Sequence, residues 1–143
     1  ILTGDAEKRA RETVAAGVGA DSAVIEHQGA VRHVPTTHDF SAKTAWEDSR
    51  TAPKGQYQNG AYWHTPTGWL IEALMPTAPE LARGVFDRYI AHLRKYDYRQ
   101  SRLPGNTAAK PGAPWECFGL NLAHAQNPVY MTSVTLPLSI LIK

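Results

Sequence analysis

The chain has 143 residues, of which 43% are hydrophobic and 20% are charged; this is the composition of an ordinary globular domain and excludes a disordered chain. The formal net charge is only +2 and the basic residues are scattered, so we do not expect nucleic acid as a partner. No apolar run reaches the roughly 18 to 20 residues that span a bilayer, so we expect a soluble protein without a membrane partner.

Cys117 is the only cysteine, which rules out an intrachain disulfide and a thiolate metal cluster. One cysteine is compatible with reducing and with oxidising surroundings, so the cysteine count does not indicate the cellular compartment. Nothing in the sequence indicates a cofactor. The chain begins at Ile1 without a signal-type segment, and we interpret it as a fragment or a processed chain.

Residues 1–19 are predicted to form a helix that begins at Thr3 or Asp5 and ends at Gly17 or Gly19. Its apolar face is thin and rich in alanine, which is typical of a helix that packs closely on a neighbour.

Residues 22–39 lack helical periodicity and are predicted to be extended or turn structure that ends at Pro35. This stretch contains His27, His33 and His38. Their spacings do not match the i, i+4 pair of a helical zinc site, so we favour hydrogen-bonded or substrate-contacting histidines over a metal site.

We interpret residues 40–54 as a polar connector that is compatible with a short helix. The carboxylates of this connector are interpreted as solvated surface groups. The stretch 55–74, GQYQNGAYWHTPTGWLIEAL, follows. Its first half is crowded with aromatic rings, side-chain amides and glycines. Its second half predicts a helix over 67–75 that is apolar on nearly every side and ends at Pro76, and we expect that helix to be buried.

A capping box at residues 77–80 opens the clearest helix of the chain, predicted over 80–98. The predicted apolar stripe of this helix contains Leu81, Val85, Tyr89 and Leu93, joined by Phe86, Ile90 and Tyr96. We expect the helix to cover the apolar one before it, so that the two form a helical hairpin.

Residues 100–128 contain repeated proline and glycine and are predicted to be a long, ordered loop. Asn127 and Pro128 then look like the cap and first position of a final buried helix. That segment is β-branched enough to be mistaken for a strand, and Pro137 would kink a helix.

Two polar, aromatic loops, YQNGAYWHTPT and PWECFGLN, therefore each lead into a predicted buried helix. This arrangement resembles the C-terminal part of the six-hairpin glycosidases, in which inner and outer helices alternate around an (α/α)6 toroid. The segment QNGAYWHTPTGW is similar to a Tyr-Trp-Arg-Gly-x-x-Trp motif that precedes an inner helix in several of those families. The segment around Glu116 is similar to a later aromatic loop whose glutamate is the catalytic base. The chain departs from many relatives at Asn59 and Gly60, where those relatives have an arginine beside the glycine.

The resemblance implies an all-α fold of helical hairpins that form part of an (α/α)6 toroid. It further implies that residues 1–143 are the C-terminal portion of one catalytic domain. The general acid would then lie upstream of this chain, since in those enzymes it comes from earlier in the sequence. The chain's partners would then be an oligosaccharide or glycoside substrate and either the remainder of the domain or a second chain.

Glu116 is the best catalytic candidate on chemistry alone. Glycoside hydrolysis needs two carboxyl groups, and inverting enzymes hold them roughly 6.5 to 9.5 Å apart so that water fits beside the base. Glu116 lies between Trp115 and Phe118, where partial desolvation suits a general base. The alternative is a glutamate that caps nearby backbone or pairs with Arg102.

Substrate-binding candidates are polar and aromatic residues, because aromatic faces stack on sugar rings while amides satisfy hydroxyl groups. They are Tyr57, Gln58, Asn59, Tyr62, Trp63, His64 and Trp115, with Arg32 and His33 as weaker candidates. The alternative is that the tryptophans are packing residues, which we prefer for Trp69, and that Asn59 and Gly60 only form a turn.

The sequence thus predicts a glycoside hydrolase, inverting, with Glu116 as general base. The first alternative is a non-catalytic carbohydrate-binding or structural helical module. A third reading, a terpene-cyclase-like toroid with an apolar substrate, is disfavoured by the amides of Gln58 and Asn59. Because one amphipathic helix cannot cover a helix that is apolar all round, we also expect the chain alone to be poorly soluble or to need a second chain.

Overall fold

A computed structural model describes residues 2–20, 22–33, 55–95, 114–120 and 125–142, which contain five helices and five strands. The helices are α1 (Gly4–Ala20), α2 (Ser22–Ile25), α3 (Thr67–Leu74), α4 (Pro79–Lys95) and α5 (Thr132–Leu141). The strands are β1 (Glu26–His27), β2 (Ala30–Arg32), β3 (Tyr62–Trp63), β4 (Trp115–Phe118) and β5 (Ala125–Pro128).

The five strands form one antiparallel sheet in the order β1-β2-β3-β4-β5. The expectation of an all-α fold, with hairpins forming part of a toroid, is therefore wrong: the chain is mixed α/β. The strands are two to four residues long, too short to leave the alternating pattern that identifies a strand in a sequence.

The turn between β1 and β2 is closed by two residues with positive φ, Gln28 at 53° and Gly29 at 78°. Positive φ at both central residues is the geometry that matches the twist of a two-residue hairpin. The turn is pressed against the helices, because a Cβ on Gly29 would overlap the backbone of Tyr89 in α4. Thr67, the first residue of α3, donates a hydrogen bond from Oγ1 to the Gly29 carbonyl over 2.6 Å.

A buried ion pair ties the same hairpin to α4. Glu26 is fully buried and accepts hydrogen bonds from Arg88, Nε to Oε1 at 3.1 Å and Nη2 to Oε2 at 2.6 Å. The Gly29 amide donates to Oε1 over 2.6 Å. These contacts satisfy the buried carboxylate and fix the position of the sheet edge on the helical layer.

The main apolar core lies among the helices. It consists of Val18, Leu70, Ile71, Leu74, Ala82 and Val85. The predicted helical hairpin is present, since α3 and α4 pack against each other across the turn at residues 75–78. Gly68 lets α5 approach α3 closely, because a Cβ there would lie 2.8 Å from the Pro137 carbonyl.

The apolar helix 67–75 is not buried on all sides as expected. Trp69 is 50% exposed and Met75 is 52% exposed. Helices α1, α4 and α5 pack on α3 from some directions only, so its remaining face is open among the described residues. The buried stripe of α4 is also displaced from the predicted one: it consists of Ala82, Val85, Tyr89 and His92.

The predicted loop 100–128 contains β4 and β5, so Asn127 and Pro128 belong to a strand and do not open the last helix. That helix, α5, begins at Thr132 without a side-chain cap and contains Pro137. The short helix predicted within 40–54, the histidine at 38, Tyr96 and Arg102 lie outside the described residues. No described helix is both long enough and apolar enough to cross a membrane.

Candidate functional site

The polar, aromatic loop before α3 folds into a tight turn over residues 55–60. The Gly55 amide donates to the Asn59 carbonyl over 2.6 Å, and the Asn59 amide donates to the Gln56 carbonyl over 2.8 Å. Tyr57 has a φ of 43°, which is uncommon for a residue with a bulky side chain. This backbone arrangement places the Tyr57 ring beside Trp63, which follows on β3.

Trp63 is half-buried and lies near two other rings. Its centroid is 5.4 Å from that of Tyr57 and 6.3 Å from that of His33, which meets it edge-on. Rings at these distances and tilts attract one another and restrict the rotation of the central side chain. The indole is therefore held in place while part of its surface stays accessible.

Arg32 and His33 are held against the same turn. Arg32 donates from Nε to the Gly60 carbonyl over 3.1 Å, and its guanidinium carbon lies 5.4 Å from the Tyr62 ring centroid. His33 Nδ1 is 2.7 Å from the Gln58 carbonyl oxygen. A carbonyl can only accept, so Nδ1 carries the proton and Nε2 is an acceptor in the neutral ring.

These groups surround a pocket of about 390 Å³. It is lined by Val31, Arg32, His33, Gln58, Trp63, Thr65 and Pro66. The structure thus brings together four of the predicted substrate-binding residues. The sequence reasoning missed Val31, Thr65 and Pro66, although the last two directly follow the aromatic pair at 63 and 64 and could have been included with the loop.

The other predicted substrate-binding residues do not line the pocket. Asn59, Tyr62, His64 and Trp115 are all buried, and Tyr57 contacts Trp63 but is not among the described lining residues. Tyr62 and Trp115 belong to a small apolar cluster with Ala30 and Phe118. The Tyr62 hydroxyl donates to the Ala23 carbonyl. Within the described chain these residues support the pocket by packing.

Glu116 is buried on β4, with 7% of its surface exposed. Its Oε2 accepts hydrogen bonds from Gln126 Nε2 at 3.1 Å and Asn127 Nδ2 at 2.5 Å. Because Tyr62 pairs with Phe118, the alternation of side chains puts Glu116 on the Tyr62 face of the sheet and Trp63 on the opposite face. Glu116 is not among the residues that line the pocket.

A buried histidine pair is formed by His64, which follows β3, and His92 of α4. The rings of His64 and His92 have centroids 4.7 Å apart, and His92 also stacks on Phe118 at 4.4 Å. Gln28 connects them: its carbonyl is 3.2 Å from His64 Nε2 and its Oε1 is 2.7 Å from His92 Nδ1. The Nδ1 atom of His64 has no hydrogen-bond partner within the described part of the chain.

Burial disfavours the charged form of both rings. It lowers the pKa of His64 to about 4. The pKa of His92 is lowered to about 2, by burial first and then by the neighbouring His64 and His27. Both rings are therefore neutral at physiological pH.

The single cysteine is a packed side chain. Cys117 is fully buried, and its burial together with the charge of Glu116 raises the pKa of the thiol to about 12. A thiol in that state is a poor nucleophile. Among the described residues no group of three or more histidine, cysteine, aspartate or glutamate side chains could hold a metal ion.

Comparisons of the chain with protein-family profiles, with curated protein sequences and with solved structures found no match.

Proposed function

We propose that the chain binds a saccharide in the pocket beside Trp63. The observation that carries the proposal is the half-buried indole, in ring contact with Tyr57 and His33, on the wall of a pocket that also presents polar side chains. A pocket of this kind pairs one aromatic face with a few hydrogen-bonding groups, which is how sugar rings are held.

The polar groups of the pocket suit hydroxyl partners. The Gln58 side chain offers both a donor and an acceptor, and Thr65 offers a hydroxyl. His33 adds the Nε2 atom of its ring, since Nδ1 is engaged by the Gln58 carbonyl. The volume of about 390 Å³ falls within the range of small-ligand sites, which run from about 300 to 1,000 Å³.

Replacing Trp63 with alanine is expected to weaken saccharide binding by about 30-fold or more, which corresponds to loss of an anchor residue at about 2 kcal/mol. Affinity should be measured by isothermal titration calorimetry with a panel of soluble oligosaccharides. The matched control is Trp69→Ala, because Trp69 is 50% exposed on α3 and does not line this pocket. Equal loss in the two variants, or no loss in Trp63→Ala, would contradict the proposal.

Glycoside hydrolysis with Glu116 as general base is the second candidate. It is favoured by the environment of the carboxylate, which is buried and receives two amide hydrogen bonds on a single oxygen, Oε2. Donors of this kind satisfy an ionised carboxylate and hold its geometry while the other oxygen accepts a proton. The reacting bond would then lie on the Glu116 face of the sheet and not in the Trp63 pocket.

In that case Glu116→Gln is expected to abolish release of reducing sugar from oligosaccharides while leaving calorimetric binding unchanged. Gln126→Ala serves as a control for packing, since it removes one of the two donors and keeps the carboxylate. Binding by the wild-type chain without any product would remove the hydrolase candidate and leave the binding proposal in place.

A further inference from the structure

We infer that the saccharide taken by the Trp63 pocket is neutral and N-acetylated, a sugar ring that bears an acetamido group. The inference rests on the proposed function and specifies its ligand class. Three features of the pocket support it: an aliphatic neighbour of the indole, two polar side chains that the fold does not engage, and a charged side chain that faces elsewhere.

An aliphatic side chain lies directly beside the indole. Strand pairing places Val31 opposite Trp63, and the Cβ atoms of opposite residues in an antiparallel pair lie about 4.5 to 5.5 Å apart on the same face of the sheet. Val31 also packs on the helical core, which holds it in place. Pro66 adds a second apolar group to the lining. The pocket can therefore cover a methyl group next to a ring that stacks on the indole.

Two polar side chains of the lining are not engaged by the fold. Gln58 and Thr65 are half-buried, and neither the amide of the one nor the hydroxyl of the other makes a hydrogen bond to the described residues. The turn that carries Thr65 is fixed, because the Thr67 amide donates to the His64 carbonyl over 2.9 Å. An acetamido group has one N–H and one carbonyl, so a primary amide and a hydroxyl can satisfy both.

The arginine of the described lining does not face the indole. Strand pairing places Arg32 opposite Tyr62, and its guanidinium carbon is 5.4 Å from the centroid of that ring, on the face opposite to Trp63. No residue of the described lining is acidic. An ammonium group on the sugar would therefore lose hydration without meeting a carboxylate, and a carboxylate on the sugar would not face the guanidinium. These conditions favour a neutral sugar.

An acetamido group uses both the apolar and the polar residues of this face, whereas a hydroxyl at the same ring position uses only the polar ones. Its methyl can lie on Val31 while its N–H and carbonyl reach Gln58 and Thr65. Removal of that methyl from water adds to affinity in proportion to the area covered. The N-acetylated sugar should therefore bind more tightly than the same sugar without the acetamido group.

The test is a calorimetric titration of the 143-residue chain with matched disaccharides of glucose and of galactose. Each is used in three forms: unsubstituted, N-acetylated, and with a free amine in place of the acetamido group. In the series that binds, we expect the N-acetylated form to bind at least about tenfold more tightly than either of the others. The preference over the unsubstituted form should not change with added salt, because no charge pair contributes to it.

Val31→Thr keeps a β-branched side chain of similar shape and replaces one methyl with a hydroxyl. It should reduce the ratio of N-acetylated to unsubstituted affinity by about threefold or more. The matched control is Val14→Thr, which should keep the wild-type ratio, because Val14 packs on the same helical core and does not line the Trp63 pocket. Circular dichroism establishes that each variant is folded, and the comparison of ligands on the wild type needs no variant.

Equal affinity of the wild type for the N-acetylated and unsubstituted forms, or tighter binding of the amine, would overturn the inference and leave the proposed function standing. The same holds if neither series binds while other neutral oligosaccharides do. An unchanged preference in folded Val31→Thr would overturn the placement of the acetyl methyl beside that residue. Failure of every neutral oligosaccharide to bind would overturn the proposed function itself.

Discussion

Gly29→Ala is expected to destabilise the fold by about 3 kcal/mol or more, the largest effect of any single methyl group in the described chain. The Gly29 φ of 78° lies in the left-handed region, and the added Cβ would overlap the backbone N and Cα of Tyr89. Backbone atoms in the middle of α4 cannot move aside as a flexible side chain can. The hairpin must therefore lift from the helix, which strains the Glu26–Arg88 pair and the Thr67 hydrogen bond to Gly29.

Gly55→Ala separates the strain of the left-handed backbone conformation from the steric overlap with α4. Gly55 has a φ of 85°, and a Cβ there would meet nothing within 4 Å. It should cost only the strain of the left-handed conformation, about 1 to 2 kcal/mol. Urea unfolding followed by circular dichroism gives both values. Equal losses in the two variants would show that the contact between the turn and α4 does not matter.

Acid is expected to unfold the chain through the buried histidine pair. In the unfolded chain both histidines have a pKa near 6.5, whereas burial lowers that of folded His64 to about 4 and that of folded His92 to about 2. Between pH 6.5 and the folded pKa the unfolded state therefore binds protons that the folded state does not. The contribution of the two neutral histidines to the free energy of unfolding is fully present above pH 6.5 and is lost as the pH is lowered. The loss from His64 alone is about 3 kcal/mol at pH 4.

The pH range that tests this prediction is 6.5 to 5, because ordinary carboxylates add little to the pH dependence of the unfolding free energy there. The groups around the pair are His27, whose pKa burial also lowers, together with Glu26, Arg88 and Lys95. His92→Gln should reduce the slope of unfolding free energy against pH, at some cost in stability at neutral pH. The control is His33→Gln, because His33 is exposed and lies outside the pair. A wild-type stability that is constant across this window would contradict the prediction.

Local patterns in the sequence were enough for most of the described helices, but not for α2, whose residues Ser22–Ile25 were predicted to be extended or turn structure. The capping signals and apolar spacing predicted α1, α3 and α4, and the turn after Pro76 predicted that α3 and α4 pack as a hairpin. The aromatic, amide-rich loop before α3 supplies Gln58 and Trp63 to the lining of one pocket, and its role in substrate binding stays a prediction. These features depend on neighbours in the sequence, which is why a single sequence reveals them.

The sheet could not be found in this way. The residues of β5, AQNP, have little preference for strands, and Asn127 followed by proline is a common helix start. They form a strand because β4 pairs with them, Cys117 with Gln126 and Trp115 with Pro128. Pairing of Tyr62 with Phe118 likewise joins segments that are far apart in the chain.

The composition and apolar spacing of the chain determined a globular protein with a helical hairpin and a polar, aromatic loop at its start. Only the tertiary structure decided which of that loop's residues face a pocket. Trp63 is presented with Val31 and His33, whereas Tyr62 and His64 turn inward and Glu116 lies on the opposite face of the sheet from Trp63. The physical reason is the alternation of side chains along paired strands, which assigns neighbours in sequence to opposite faces once the register is set by contacts across the fold.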